Sequence, residues 1–379
     1  MPVIPRLLST AAVGLITVAF VAGCSNSPSG RSSPEGVAVK ASDTSCVIAT
    51  TTFKSGSQTF SISNQGSQVA AFVVYAPGDQ VVGEVENIGP STGKKLTVAL
   101  KAGQYQLACK SGQRGKGIRT AIVVKGPSGA PTTSPELDAA VATYRSYVLG
   151  QAQLLQARSQ PFIAAVKAGD VAKAKSLYAA AHAPYESIQP VVGSFGDLDS
   201  RIDARIDDVQ VGTQWTGFHR LEYDLWQPPH DISKDGPVAQ QLQGDITKLI
   251  DQIQRADLTA DGIGTGAVNL LNQVTAVMLA GQEERYSRLD LVDASASIDG
   301  AQQAYNVLRT IVIGTDPDLI TKVDTAFATL QQDLDQYRHA DGSWFDYEAL
   351  SKADVKLLTS DVDAVLGPMA QVVNDLAKA

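Results

Sequence analysis

The sequence is short of the residues that most metal and redox centres use. Its 379 residues include only four histidines, three cysteines and three methionines. The chain has no cluster of lysine or arginine, and acidic residues (39) outnumber basic residues (31). A nucleic-acid partner is therefore not expected, because binding to a phosphate backbone needs concentrated positive charge. The modest excess of acidic residues is compatible with cation binding, but solubility alone also explains it.

The first 36 residues have the pattern of an export signal followed by a tether. Arg6 precedes an apolar run over 11–22, which is short for a transmembrane helix. The run ends in Val21-Ala22-Gly23-Cys24, which is typical of a bacterial lipobox. We expect a lipoprotein signal peptide over 1–23, lipidation of Cys24, and a flexible tether over 24–36. An ordinary secretory cleavage site beside a chance cysteine is the alternative.

Residues 37–126 show short alternating apolar runs broken by turn residues. The clearest runs lie at 59–63, 70–75, 95–100 and 118–124, and they predict strands of a small all-β sandwich. This segment contains no histidine and no methionine. It therefore cannot build a blue-copper centre, which needs two histidines, a cysteine thiolate and commonly an axial methionine.

Two cysteines remain once Cys24 is assigned to the lipid. In an oxidising compartment outside the cytoplasm, an even pair within one small domain favours a disulfide, here between Cys46 and Cys109. A metal role and two separate thiols stay open as alternatives. Glu84 and Glu86 are weaker candidates for oxygen ligands, since a solvated strand face explains the same spacing.

Residues 127–134 contain two prolines and no periodic apolar residue, which indicates a linker. The apolar period then becomes helical, with Ser134 as the expected N-cap and Pro135 at the first helical position. Further helices are predicted over 172–185, 215–226, 238–255, 266–280, 301–312, 318–338 and 354–376. Because the connections are mostly short, we expect an all-α helical bundle over 135–379.

The strongest chemical signal is Gly217-Phe218-His219-Arg220-Leu221-Glu222. Residues three apart share a helix face, so His219 and Glu222 present an imidazole and a carboxylate to one point. An isolated pair of this kind usually marks only a solvated hydrogen bond. The zinc-peptidase motif His-Glu-x-x-His is absent, and its inverted form needs a histidine where Tyr223 stands.

This segment fits the Gly-x-His-x-x-Glu motif of imelysin-like proteins, and further matches follow their order and spacing. These are Ala168-Gly169-Asp170, Pro184-Tyr185-Glu186, Phe195-Gly196-Asp197-Leu198-Asp199 and Glu283-Glu284-Arg285-Tyr286-Ser287. The resemblance implies a cupredoxin-like fold for the β domain and an imelysin-like fold for the helical domain. The metal ligands that we expect on this basis are His219, Glu222, Glu186, Asp197, Asp199 and Glu283, with Glu284, Glu84 and Glu86 as weaker candidates.

The resemblance also implies a function in iron uptake. It suggests a lipid-anchored protein that binds iron outside the cytoplasmic membrane, delivers it to a membrane iron permease and works with an exported haem peroxidase. Carboxylate oxygens with one imidazole suit Fe(II), Fe(III), Mn and Zn, and iron is preferred because of the resemblance. We do not expect an enzyme. A metallopeptidase of the imelysin type and a structural or carbohydrate-binding lipoprotein are the alternatives.

Two positions depart from the family pattern. Gln189 and Arg288 stand where relatives often carry Glu and His, and a guanidinium cannot ligate a cation. Either the site has fewer ligands, or Arg288 anchors an anion or a carboxylate beside the metal.

Simpler explanations remain for several candidates. Helix capping accounts equally well for Asp197 and Asp199, and a solvated face accounts for one of Glu283 and Glu284. The three other histidines are expected outside the site: His182 and His230 at the surface, and His339 in a polar turn.

Overall fold

The computed structural model describes residues 36–78, 80–113, 115–126, 134–209 and 212–376. The expected signal peptide, Cys24 and nearly all of the expected tether lie outside these residues, as does 127–133 of the expected linker. Within the described part, a β region precedes a helical region, which confirms the predicted fold class. Of the described helices, none combines the length and the apolar character needed to cross a bilayer.

Two sheets enclose the β-domain core. The strands are β1 Val37–Ala41, β2 Cys46–Ile48, β3 Thr52–Lys54, β4 Gly56–Asn64, β5 Ala70–Ala76, β6 Gln80–Ile88, β7 Gly93–Leu100, β8 Gly103–Ser111 and β9 Ile118–Lys125. They are ordered β2-β1-β4-β7 in one sheet and β3-β9-β8-β5-β6 in the other. Phe60 and Ile62 alternate with more exposed residues along β4, as a half-buried strand requires. Phe60 packs against Phe72 of the second sheet, with ring centroids 5.3 Å apart.

A disulfide joins the two sheets. Cys46 on β2 is bonded to Cys109 on β8, with an S–S distance of 2.06 Å and a sequence separation of 63. Closing so long a loop restricts the unfolded chain and thereby stabilises the folded sandwich.

The helical region begins where its capping residues predict. Ser134 Oγ accepts a hydrogen bond from Leu137 N at 3.2 Å, and Pro135 occupies the first turn. The helices are α1 Pro135–Lys167, α2 Val171–Glu186, α3 Leu198–Ile202, α4 Phe218–Trp226, α5 Gly236–Arg255, α6 Ala260–Gln273, α7 Asp290–Val312, α8 Pro317–Leu334 and α9 Lys352–Leu376. A π-helical turn, Val274–Met278, continues α6. Helices α1, α2 and α5 pack together, and α7 connects them to α6, α8 and α9.

Several helix boundaries differ from the sequence-based prediction. The helix expected over 215–226 begins at Phe218, because Gly217 adopts a φ of 91°. The helix expected over 266–280 ends at Gln273 and passes into the π turn. Helix α7 begins eleven residues earlier than expected, at Asp290. Its first half is rich in Ala and Ser, so no periodic pattern of large apolar residues marks it.

The π turn inserts into the β domain. Ala276 and Val277 belong to the same buried cluster as the sandwich core. Asn272, one turn earlier, accepts from Thr97 N at 3.1 Å and donates to Thr97 O at 2.6 Å. This contact satisfies backbone groups of β7, which lies at the edge of its sheet. The β domain therefore helps to position the chain that follows the π turn.

Candidate metal centre

The start of α4 is pressed against the segment that carries Asp203. A Cβ atom on Gly217 would lie 2.2 Å from the carbonyl oxygen of Ile202, so only glycine permits this approach. Trp215 Nε1 also donates to the carbonyl oxygen of Ala204 at 2.6 Å. These contacts place Asp203 beside the histidine of α4.

His219 and Glu222 are buried on the inner face of α4, 1% and 0% exposed. Nδ1 of His219 lies 3.4 Å from Glu222 Oε2, and its Nε2 lies 3.1 Å from Glu283 Oε1. Glu222 Oε1 accepts the backbone N–H groups of Tyr286 and Ser287 at 2.8 and 2.7 Å. The loop between the π turn and α7 is thereby fastened to α4.

His182 belongs to this centre, so the expectation that it lies at the surface is wrong. Its side chain is fully buried, and its ring centroid lies 5.4 Å from that of His219. Nε2 of His182 lies 2.6 Å from Asp203 Oδ1. Its Nδ1 lies 3.2 Å from Glu284 Oε1 and 3.4 Å from Asp293 Oδ1.

A sequence signal for His182 existed. The residue lies four positions after Tyr178 and three before Tyr185, and all three side chains are buried on α2. A histidine within the apolar stripe of a helix faces the interior rather than solvent. The other two histidines are exposed, as expected: His230 Nδ1 lies 3.0 Å from Leu225 O, and His339 stacks on Phe345.

Six carboxylates, each at most 9% exposed, surround the two imidazoles. They are Glu186, Asp203, Glu222, Glu283, Glu284 and Asp293. The sequence interpretation had selected four of them and missed Asp203 and Asp293. The expectation that Glu283 or Glu284 lies on a solvated face is wrong. Their loop folds inward, where the hydroxyl groups of Tyr178 and Ser287 both donate to Glu284.

Asp197 and Asp199 lie apart from the cluster. The Asp197 side chain is 75% exposed and lies 3.5 Å from Arg201. Asp199 Oδ1 accepts a hydrogen bond from the hydroxyl group of Tyr185 at 2.8 Å. Among the described residues, neither aspartate joins a group of side chains spaced to hold an ion. Asp197 is the N-cap residue of the short helix α3, and Asp199 lies in its first turn.

Arg205 connects the β domain to the cluster. Its guanidinium lies 3.2 Å from Glu283, 3.3 Å from Glu86 and 2.7 Å from Asp208. Glu86 thus reaches the centre only through this arginine. Glu84 is half-buried on the same strand, and burial raises its pKa.

Electrostatic repulsion between the carboxylates favours bound protons. Burial lowers the pKa of His182, but Asp203 and Asp293 outweigh burial and raise that pKa well above its ordinary value. Burial, reinforced by Glu222 and Asp293, raises the pKa of Glu284 well above its ordinary value. These shifts are the response expected when negative charge is concentrated away from water.

Two glutamates remain ionised because they have strong partners. Burial alone would raise the pKa of Glu283, but Arg205 and His219 lower it to about 2. The pKa of Glu222 is also lowered, because hydrogen bonds from His219 and from the backbone of Ser287 outweigh burial. Oε1 of Glu222 is therefore fixed by two backbone N–H groups, while Oε2 faces His219.

The two departures from the family pattern have different consequences. The side-chain amide of Gln189 donates to Asp203 Oδ2 at 3.0 Å, so it faces the cluster as a donor. Arg288 donates to the carbonyl oxygen of Gly281 at 2.9 Å and lies over the ring of Tyr347. Arg288 therefore stabilises the loop that contains Gly281 rather than the cluster.

Imidazole nitrogens surrounded by carboxylate oxygens form a donor set for Fe, Mn or Zn ions. Within the described residues, four overlapping groups of three side chains have ligand atoms close enough to hold an ion. They are His182/Asp203/His219, His182/Glu284/Asp293, His219/Glu222/Glu284 and Glu186/Asp203/Glu283.

Comparison with known proteins gives consistent matches. The imelysin model matches residues 140–372, and a cupredoxin-like domain model matches residues 13–124. The iron uptake system components EfeO of Escherichia coli K12 and Shigella flexneri are each 32% identical over 378 residues, covering 98% of this chain and 96% of the relative. A crystal structure assigned to an iron-regulated protein A precursor of Parabacteroides distasonis aligns with a TM-score of 0.48 and 13% identity, over 66% of this chain and 98% of that chain. The chain therefore belongs to the imelysin family, carries a cupredoxin-like domain before its helical domain, and is a homologue of EfeO.

Proposed function

We propose that this chain is a component of an iron uptake system and binds iron as cargo at the buried histidine and carboxylate cluster. The observation that carries the proposal is the convergence of two histidines and six carboxylates at one buried place. The EfeO relatives are named as iron uptake system components, and the donor set suits iron.

Charge balance supports a cation as the ligand. Six buried carboxylates face one guanidinium, that of Arg205, and buried charge is costly unless it is compensated. Protonation of the histidines and of Glu284 relieves part of the repulsion. A metal cation would replace these protons and supply the missing positive charge at the same place.

The first ion position is proposed at His219 Nδ1, with Glu222 and Glu284 as oxygen ligands. These three side chains form one of the groups whose ligand atoms lie close enough for an ion. Nε2 of the same histidine faces Glu283 at 3.1 Å, so its N–H has a carboxylate acceptor. A metal-binding imidazole is commonly held in this way, with one nitrogen on the ion and the other on a carboxylate.

We further propose that the protein acts outside the cytoplasmic membrane, anchored by a lipid on Cys24. The Cys46–Cys109 disulfide suits an oxidising compartment. In this proposal the bound iron passes to a membrane iron permease, and an exported haem peroxidase belongs to the same system. The proposed role is capture and delivery, without an enzymatic step.

Calorimetric titration tests the proposal. Fe(II) under anaerobic conditions, Fe(III), Mn(II) and Zn(II) are added separately to the wild type and to His219→Ala. We expect iron to bind the wild type and at least tenfold more weakly to the variant, because one nitrogen ligand is lost. His339→Ala is the matched control, since that imidazole is exposed and stacks on Phe345. Equally tight iron binding by wild type and His219→Ala would overturn the proposed site, and no iron binding by either protein would favour a structural or carbohydrate-binding lipoprotein.

A metallopeptidase is the second candidate, and the geometry of Glu222 argues against it. A general base works best with a pKa near the working pH, whereas the pKa of Glu222 is lowered by its fixed partners. The enclosing side chains also leave little room for a polypeptide, since Asp203 and Glu283 are 8% and 9% exposed. Zinc-loaded protein is incubated with an unstructured peptide, with Glu222→Gln as the comparison. Turnover that disappears in the variant would favour the enzyme.

A further inference from the structure

His182 has a free ligand atom that the first ion position does not use. Its Nδ1, like Oδ2 of Asp293, is buried and has no hydrogen-bond partner among the residues that the structure describes. The two side chains are 0% and 1% exposed, so bulk water does not reach these atoms. Buried polar atoms without partners are rare, so these two atoms are candidates for contact with a cation.

The spacing around this nitrogen suits a cation. Nδ1 of His182 lies 3.2 Å from Glu284 Oε1 and 3.4 Å from Asp293 Oδ1. Ligands about 2.1 Å from a tetrahedral ion are separated from one another by roughly 3.4 Å. The three atoms can therefore contact one ion with little movement.

The two histidines have matching environments. Nε2 of His182 faces Asp203 at 2.6 Å, and Nε2 of His219 faces Glu283 at 3.1 Å. We assign the N–H to Nε2 in both rings, which leaves both Nδ1 atoms as ligands. Oε1 of Glu284 lies 3.2 Å from Nδ1 of His182 and 4.0 Å from Nδ1 of His219.

We propose that the cluster holds two cations at once, the first at His219 with Glu222 and the second at His182 with Asp293, and that Glu284 contacts both. The inference rests on the proposed function and adds the number of ions and the ligands of the second. Each position has one histidine and one carboxylate of its own.

The charge of the cluster agrees with two ions. Once the imidazoles are neutral ligands and all six carboxylates are ionised, the described residues offer these carboxylates one guanidinium, that of Arg205, which also pairs with Glu86 and Asp208. One divalent cation leaves three negative charges uncompensated, whereas two cations leave one. Uncompensated buried charge is strongly destabilising, so the second ion removes most of the remaining penalty.

The ion count in the wild type is the primary test. Metal-free protein is titrated with Mn(II), and the bound metal is counted after removal of free ions. We expect two Mn(II) per chain, with an electron paramagnetic resonance spectrum that shows coupling between neighbouring ions. One ion per chain overturns the second position and leaves the proposed function intact. No bound Mn(II) or Fe(II) overturns both.

Variants then assign the positions. His182→Gln and Asp293→Asn are each expected to bind one uncoupled ion, and His219→Gln to retain the ion at His182. Asp299→Asn, on the same helix as Asp293 but hydrogen-bonded to Gln331, is the control and should bind two. If His182→Gln fails to fold, Asp293→Asn and the ion count of the wild type still decide whether the second ion position exists. A single ion lost in both histidine variants indicates one ion between the two rings at Asp203, which overturns the proposal.

Discussion

Nη1 of Arg205 lies 3.2 Å from Oε2 of Glu283, while Nη2 of the same guanidinium lies 3.3 Å from Glu86 of the β domain. One side chain therefore neutralises a carboxylate of the cluster and holds the β domain against it. Asp203 and Glu283 are the most exposed carboxylates of the cluster, at 8% and 9%, and Arg205 lies beside Glu283.

We expect removal of this guanidinium to lower the stability of the metal-free protein and to raise its affinity for metal. Arg205→Met leaves Glu283 without its guanidinium partner, so we expect the metal-free protein to lose about 3 kcal/mol of stability. Mn(II) should bind about tenfold more tightly, because the metal no longer competes with a fixed cation. Melting temperatures with and without Mn(II), together with calorimetric titration, measure both effects.

Arg285→Met is the matched control. Arg285 pairs with Asp207 at 2.5 Å, but the Asp207 side chain is half-exposed, and such pairs contribute about 1 kcal/mol or less. We expect little change in stability and none in Mn(II) affinity. Weaker Mn(II) binding in Arg205→Met than in the control would show that the arginine supports the ion rather than competing with it.

The ionisation of Glu86 predicts a pH dependence of stability. Burial, followed by repulsion from Asp208 and Glu84, raises its pKa from 4.5 to about 7. The folded state binds this proton more tightly than the unfolded state does. The resulting stabilisation is complete below pH 4.5 and is lost as the pH rises to about 7.

Glu86→Gln should abolish this loss of stability with rising pH. We expect the variant to resemble the wild type at pH 4.5 and to be more stable at pH 7.5 by up to about 3 kcal/mol. Urea unfolding followed by circular dichroism at both pH values measures the difference. Glu348→Gln, at a side chain 75% exposed, is the control and should follow the wild type. Parallel curves for Glu86→Gln and wild type would contradict the pKa assignment.

Because Gly217 lies so close to the carbonyl oxygen of Ile202, we expect one added methyl group at this position to weaken metal binding. In Gly217→Ala the new Cβ would meet the carbonyl oxygen of Ile202 at 2.2 Å, and φ is 91°. The segment must move, and it carries Asp203. We expect a stability loss of more than about 2 kcal/mol and at least tenfold weaker Mn(II) binding.

Gly244→Ala provides the comparison. This glycine lies within α5, and a Cβ there would meet nothing within 4 Å. The added methyl group should stabilise the helix by about 0.5 to 1 kcal/mol without affecting the ion. Thermal unfolding and Mn(II) titration of both variants form the measurement. Unchanged Mn(II) affinity in Gly217→Ala would show that the position of Asp203 does not matter for binding.

The paired hydrogen bonds between Asn272 and Thr97 predict thermal coupling between the domains. Asn272→Ala leaves the buried N–H and C=O groups of Thr97 without these partners, at a cost of about 2 to 4 kcal/mol. We expect differential scanning calorimetry to show two separated transitions in place of one. Asn374→Ala, which loses only a bond to the carbonyl oxygen of Ala370, should keep the wild-type profile. A single unshifted transition in Asn272→Ala would show that other contacts couple the domains.

Local patterns predicted much of the fold because they act within a few residues. The strand around Phe60 follows from alternation, the strand around Phe72 follows from a continuous apolar run, and the start of α1 follows from Ser134 and Pro135. The start of α7 was missed, because packing rather than a periodic run of large residues selects this helix. A Cβ on its Gly300 would lie only 2.3 Å from the carbonyl oxygen of Ser187.

The candidate site was predicted in part. His219, Glu222, Glu186 and Glu283 were selected and do converge, whereas His182 and Asp293 were not selected. Asp197 was selected for its position in a motif, but its side chain points into solvent. Spacing within one helix is visible in a sequence, while convergence between helices depends on how they pack.

The sequence by itself determined which segments alternate and which are helical, and that His219 and Glu222 share one face of a helix. It also excluded blue copper from the β domain. Only the tertiary structure decided which carboxylates surround the histidines. Asp203, Glu284 and His182 come together through the bend at Gly217, the π turn anchored in the β domain and the packing of α2 on α7. Each of these three features depends on contacts between segments that are distant in sequence.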